Sequence, residues 1–411
     1  KNNYTHLAPF AADMRELLND PAVQSAVDKR TKGQGMAIVN KLMSDVFGGS
    51  IRRQETWISR AMRGLRRNGT INALGLSLSV ALKQPVSMSL AMAVDPRLLY
   101  HLTDTMANMD RDEAVNFMER MSDTMKNRAF DRDLLEIHNS RQAKQMMSNR
   151  RSLSDVSLAL IRWMDKTTVG YAWNSAYRLA KSNDLADPEA VAYADDIIAR
   201  TQPMANIQDL PHYFRGSEIE KIFTTFQRQI NQNYNFWAYD VIGAAKNKRI
   251  SPQMLAYRVM MSMVVPAVAL SIISRGGTPE PDDMAKDIGS FFLAPVPFYG
   301  PIMSTLLQGY SPSTGIALSG FESVGRAGAH AAKGQGLEAA YDVASAVGSF
   351  TGLPTNAATR AVKGLKDLES GATDDPRRLI WGKGALGETK KGGSVRVKRS
   401  KRATASRRRQ R

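Results

Sequence analysis

The chain has 411 residues, enough for two or three ordinary domains, and carries 56 Lys and Arg against 39 Asp and Glu, a formal charge of +17. It has no cysteine, which excludes disulfides, thiolate metal sites and cysteine nucleophiles. Its five histidines, His6, His101, His138, His212 and His330, lie far apart, and no two have the i, i+4 spacing of a helical metal pair. The chain starts at Lys1 with no initiator Met and no signal-peptide pattern, so a processed product or part of a longer protein is expected.

Helical signals dominate in chain order. Ile71–Leu82 is a short, weakly apolar stretch rich in Leu, Ser and Ala. Asp104–Met125 has no Gly or Pro and reads as one helix. Ser154–Ala180 repeats apolar residues at helical spacing (Leu158, Ile161, Met164, Val169, Trp173, Ala176, Tyr177), with Ser154 placed to cap it. Asp187, Pro188 and Glu189 form a helix start, with Asp at the cap and Pro at the first position, leading through Val191, Ala194, Ile197 and Ile198. Ser217–Ala245 is a third long helix with Ile219, Ile222, Phe223, Phe226, Ile230, Tyr234 and Trp237 on one broad face. Its amides could zip helices together or line a wet channel, but packing of the aromatic face is the plainer expectation. No strand-period alternation is sustained, so the fold class is all-α: an elongated multi-helix assembly.

From about residue 251 the character changes. Val259–Ser274 is sixteen uncharged, mostly apolar residues containing Pro266, which is expected to kink it. A charged, Pro-rich link over Thr278–Asp287 leads to Ile288–Phe321, 34 residues without a charge. Together the two runs are expected to form an apolar helical hairpin. Spanning a bilayer takes about 20 apolar residues; the first run is short and the second is broken by proline and glycine. The plainer reading is a hairpin buried in a large assembly; the sharper one is a hairpin that meets membrane at one stage. Val259, Val264, Val265, Leu270, Phe291, Phe292, Phe298 and Leu306 are the candidate membrane or partner contacts.

After residue 322 the chain is rich in Gly and Ala, and alternating loops and short helices are expected there. Residues 386–411 hold eleven Lys or Arg and one acid, so the basic excess belongs mainly to this tail. Low hydrophobicity and dense like charge predict disorder beyond about residue 383. Lys398, Arg399, Lys401, Arg402, Arg407, Arg408, Arg409 and Arg411 are candidate phosphate contacts for double-stranded DNA. Without aromatic residues the tail offers no stacking platform, and anionic lipid is the rival ligand. The regions read as 1–150, 151–250, 251–321, 322–383 and 384–411, respectively N-terminal helical, long-helix bundle, apolar hairpin, Gly/Ala-rich helical and basic tail.

No catalytic constellation emerges, and no metal or cofactor is expected. Gly382–Gly387 matches G-x-G-x-x-G by composition alone, in a segment with no strand pattern before it. Asp131 with Asp133, Asp195 with Asp196, and Asp282 with Asp283 read as caps and surface charge, because adjacent residues on a helix do not face one site.

Four stretches carry a resemblance. They are Gly75–Pro85 (GLSLSVALKQP), Met125–Asp133 (MKNRAFDRD), Trp163–Tyr177 (WMDKTTVGYAWNSAY) followed by Ala190–Asp196 (AVAYADD), and Asp209–Pro211 with the Phe223–Asn235 helix. With Gly352–Pro354 they span roughly residues 40–370, and in this order they resemble the large polyvalent and internal virion proteins of short-tailed bacteriophages. The resemblance implies a structural ejection protein packed inside the capsid above the portal, leaving with the genome and rebuilt as a conduit across the host envelope. Implied partners are further copies in a ring around the DNA path, other internal core proteins, the portal, and the host inner membrane. The large members often carry a peptidoglycan-cleaving domain near their start; no catalytic residue of such a domain carries over to a position here. Two other readings stay open: a DNA-condensing head protein that never meets membrane, and a non-catalytic accessory region of a larger protein.

Overall fold

The computed structural model describes residues 16–31, 35–36, 56–126, 128, 153–203, 227–293, 319–382 and 386. Among them every regular element is helical. We number the principal helices α1 (Pro21–Thr31), α2 (Trp57–Leu74), α3 (Arg97–Asn108), α4 (Arg111–Met121), α5 (Leu153–Ser182), α6 (Asp187–Thr201), α7 (227–246), α8 (Pro252–Arg275), α9 (Pro281–Leu293), α10 (Ser319–Ala332), α11 (Gly336–Thr351) and α12 (Thr355–Glu369). The all-α expectation holds.

The main core forms around α5. Trp173 is fully buried, stacked on Tyr177 at 5.3 Å and met edge-on by Phe117 at 6.2 Å. Such aromatic pairing adds about 0.5–1.5 kcal/mol to the area each ring buries. Ala172 and Ala176 on α5 and Ala194 on α6 belong to the same buried cluster, with Ile197 and Ile198 filling the space between larger neighbours. Gly170 marks the close crossing of α4, since a Cβ there would lie 3.1 Å from Val115 Cγ2. Beside it Asn174 donates to the Ala114 and Gly170 carbonyls at 2.8 and 2.7 Å.

Several boundaries differ from expectation. The span Asp104–Met125 is three helices: α3, α4 and the turn Asp123–Lys126. Asp110 breaks it by leaving the helical region and accepting from the Glu113 N–H at 2.8 Å. Ser122 breaks it again, accepting from the Met125 N–H at 3.0 Å. Short polar side chains compete with the backbone ladder and need neither Gly nor Pro to end a helix. Ser154 lies inside α5, which starts at Leu153. Asp187 is the first residue of α6 and Ala186 the cap, its N–H held by Glu189 Oε2 at 3.3 Å.

The Gly/Ala-rich region is not loops and short helices but α10, α11 and α12, of 14, 16 and 15 residues. Its glycines serve close approach: Gly320 lies where a Cβ would meet the Phe350 ring at 3.0 Å, and Gly364 where one would strike the Arg378 carbonyl. α11 packs on α2. There Asn72 donates to the Ser345 carbonyl at 3.1 Å and to Ser349 Oγ at 2.9 Å, and accepts from Thr355 Oγ1 at 2.9 Å.

α7 carries a π-helical segment over Phe236–Gly243. The wider turn rotates the helix face. Phe236 and Val241 are therefore the buried residues, while Tyr234 is exposed and Ile230 and Trp237 are half-buried. The rest of the expected aromatic face, Ile219 to Phe226, lies outside the described residues. One amide does zip helices: Gln232 Nε2 donates to the Ala199 carbonyl of α6 at 2.9 Å.

Candidate functional site

The long apolar run is where this molecule departs from ordinary packing. α8 is one continuous helix of 24 residues, longer than the sixteen of the apolar run. At about 1.5 Å per residue it is roughly 36 Å long, enough to cross a bilayer core. Proline lacks an N–H and collides with the carbonyl four residues back. α8 carries a π-helical segment at Met260–Val264, where the Val265 N–H donates to the Met260 carbonyl, just before Pro266.

The N-terminal half is fastened by polar groups. Tyr257 Oη donates to the Met92 carbonyl at 2.9 Å, and Arg258 donates to the carbonyls of Asp240 and Val94. Beyond Val259 the buried residues are Ser262, Met263, Pro266, Ala267 and Ser271, and Met261 packs on the main core. Val264, Val268, Leu270 and Ile273 are half-buried, while Met260 is 51% exposed, Val265 37% and Ile272 37%. Small residues let helices approach closely, and burying large aliphatic ones normally supplies about 1.5–3 kcal/mol each. α8 packs Ser262, Ala267 and Ser271 together with Met263 against its own protein and leaves Met260, and part of Val265 and Ile272, uncovered.

Gly276, in the left-handed region at φ +65°, ends α8 and turns the chain toward α9. Arg275 pairs with Asp283 at 3.1 Å and Asp287 at 3.0 Å, and Ser271 Oγ donates to Asp287 Oδ2 at 2.7 Å. The second arm of the hairpin thus starts at Pro281, inside the charged link, not at Ile288. Asp283 is an ion-pair partner, and Asp195 too is more than surface charge: it accepts from Trp173 Nε1 at 2.7 Å and Ser122 Oγ at 2.8 Å.

A latch missed by sequence reading closes the hairpin. Trp381 Nε1 donates to the Ile273 carbonyl at 2.7 Å, and Arg377 Nη1 to the Gly276 carbonyl at 2.6 Å. The Ile273 carbonyl also accepts from the Gly276 N–H at 3.3 Å, so Trp381 adds a second, shorter bond to it; Arg377 serves the carbonyl of the capping residue itself. Gly276 is pressed so close that a Cβ would lie 2.9 Å from the Trp381 ring and 3.2 Å from Leu386. The latch is held from behind by Arg378, almost fully buried, which pairs with Asp367 of α12 at 2.7 Å and donates to the Trp381 carbonyl at 3.1 Å. The only sequence signal was a Trp beside a basic run, with no periodicity to place it.

Of the candidate contacts, Val265 and Phe292 are exposed, and Val259, Val264, Leu270 and Phe291 are half-buried. Phe292 meets Trp237 edge-on at 6.3 Å. Phe298 and Leu306 lie outside the described residues, as do Lys398, Arg399, Lys401, Arg402, Arg407, Arg408, Arg409 and Arg411. Asp131, Asp133, His6, His138 and His212 lie outside them too, as does part of Gly382–Gly387. His330 meets Asp342 through Nδ1 at 2.8 Å, and burial lowers the pKa of His101. Among the described residues no group of three or more His, Cys, Asp or Glu could hold a metal ion. Comparison with protein-family models, with curated proteins and with solved structures returns no match for this chain.

Proposed function

We propose that this chain is a non-enzymatic structural protein of a phage particle, an internal core or ejection component that helps carry the genome across the host envelope. In this reading the uncovered face of α8 meets the bilayer of the host inner membrane, the basic tail neutralises DNA phosphates, and several copies assemble around the DNA path. The phage assignment rests on the resemblance described above. The membrane role rests on one observation, the length and apolar character of α8: its 24 residues are long and apolar enough to cross a bilayer core, and Met260, Val265 and Ile272 lie at its surface. The latch adds a geometric link, because it joins the end of α8 to the chain that leads into the tail.

The test is vesicle flotation with dye release for the whole chain and a Met260→Ser, Val265→Ser, Ile272→Ser triple variant. None of these side chains is fully buried, and a thermal melt of the variant checks that it keeps the fold. Release that survives high salt and falls at least about tenfold in the variant is the expected result. Equal release by both proteins, or attraction that vanishes in salt, assigns the interaction to the tail. The chain would then be a DNA-condensing head protein, with α8 covered by protein. Exposed Phe321, Val324, Val343 and Val347 on α10 and α11 offer further apolar surface for such an assembly.

A further inference from the structure

Beside the latch stands a cluster of cations that no carboxylate among the described residues neutralises in full. Arg360, on α12, directs Nη1 toward Ser79 Oγ and the Ile380 carbonyl, both at 3.4 Å. Those contacts are long, and neither partner carries charge. Lys83 comes four residues after Ser79, in the tight turn that joins the short helix Leu78–Ala81 to the 3-10 turn Gln84–Ser87, its N–H donating to the Val80 carbonyl at 3.1 Å. It is half-buried and has no hydrogen bond or ion pair from its ammonium among the described residues. Arg378 completes the group; its one carboxylate is Asp367, and its buried Nε has no partner. Three cations thus share one acid.

Burial first, and then the Arg360 charge, lower the pKa of Lys83. Burial first, and then Arg378, lower that of Arg360. A guanidinium does not shed its proton under ordinary conditions. The cluster therefore carries an electrostatic cost that a tetrahedral oxyanion would remove, accepting from Lys83 Nζ, from the Arg360 fork and from the Ser79 hydroxyl. The 3-10 turn Gln84–Ser87, directly after Lys83, packs on the second half of α8, so an anion held here sits beside that helix.

We propose that Lys83, Arg360 and Ser79 form a binding site for a single phosphate group, and that the phosphate is the headgroup of an anionic lipid lying next to α8. The lipid half of this rests on the membrane reading above; the phosphate half does not. The site is built from side chains of two separate segments and is distinct from the polybasic tail.

Calorimetric titration of the whole chain with inorganic phosphate, in a buffer free of other oxyanions, tests the first half. Lys83→Met should weaken the site at least about tenfold, since a charge-assisted bond is lost, while Lys83→Arg retains it. Identical titrations for wild type and Lys83→Met overturn the site and leave phosphate to the tail. Should Lys83→Met melt well below wild type, Arg360→Lys replaces it, with the same loss expected because the fork geometry goes while the charge stays. Flotation on phosphatidylcholine vesicles with and without phosphatidylglycerol tests the second half. The increment due to phosphatidylglycerol should fall several-fold in Lys83→Met, with binding to neutral vesicles unchanged. Loss of neutral-vesicle binding by wild type defeats the membrane reading, yet Lys83-dependent phosphate binding would then still stand as a free-phosphate site. An unchanged phosphatidylglycerol increment overturns the lipid assignment.

Discussion

α5 and α8 are both long apolar helices, and they differ in what they bury. α5 turns Ile161, Val169, Trp173 and Leu179 inward, where all four are essentially fully buried. α8 turns Ser262, Met263, Ala267 and Ser271 inward, and leaves Met260 about half exposed and Val265 and Ile272 more than a third exposed. An apolar helix stabilises its own fold only through the side it buries. By that measure α5 holds this chain together, and part of what α8 could contribute stays at the surface.

The contrast breaks most sharply at Trp173. Trp173→Ala removes the centre of the aromatic stack and leaves Asp195 with one side-chain donor fewer. The expected loss is about 3–5 kcal/mol, read from chemical denaturation. Arg128→Ala has a cost in the same range, about 3–5 kcal/mol, because it strands Asp165 in the interior. The pair is 2.7 Å apart with side chains only 4% and 7% exposed, and Arg128 also donates to the Pro203 carbonyl at 3.1 Å. A variant at either position that melts with wild type would mean that α5 is not the organising helix.

Trp381→Ala should act between the two regions. It removes the bond to the Ile273 carbonyl and the ring that covers Gly276. Roughly 1–3 kcal/mol of local stability is expected to go, through the lost hydrogen bond and the lost ring packing, the Ile273 carbonyl keeping only its longer bond from the Gly276 N–H. Hydrogen exchange locates it: amides of the last turns of α8 should exchange faster while those of α5 stay protected. Equal acceleration in both would make the latch part of the main core.

Much of this was legible in the sequence. Trp173, Val169 and Ile161 announced themselves because large apolar residues at helical spacing are buried in most folds, and here they are. The apolar run in α8 was equally visible, but its orientation was not. Periodicity marks which residues share a face; it does not say whether that face meets protein. The π segment hid the register further, since Met260–Val264 does not advance by the ordinary turn. Asp110 and Ser122 ended helices through a single side-chain bond each, a signal as weak in sequence as any surface Asp or Ser. Arg360, Ser79 and Trp381 belong to contacts across long stretches of chain, which no local pattern contains.

The exposed residues of α8 give a smaller effect on stability. Val265→Ser and Ile272→Ser should each cost on the order of 1 kcal/mol, because each residue is 37% exposed and only part of its burial free energy is at stake. A loss of 2 kcal/mol or more, on the order of a buried Val or Ile, would show that this face is packed after all.

The smallest effect is the most selective, because it isolates one ammonium. Lys83 in the folded chain releases its proton below its ordinary value of 10.5, through burial and the nearby Arg360, with Arg378 behind it. Between the folded value and 10.5 the unfolded chain holds more protons than the folded one, so this group makes stability rise with pH. At neutral pH the strain is fully present, and Lys83→Met should be more stable than wild type. The gap should close as pH climbs through that alkaline window, where wild-type Lys83 becomes neutral without unfolding. Inorganic phosphate at neutral pH should narrow the same gap, by stabilising wild type and not the variant. Paired thermal melts across pH, with and without phosphate, read all three. A gap that ignores both alkali and phosphate would mean Lys83 is strained by packing alone, and the second region of the molecule would then lack the anion that its uncompensated charges call for.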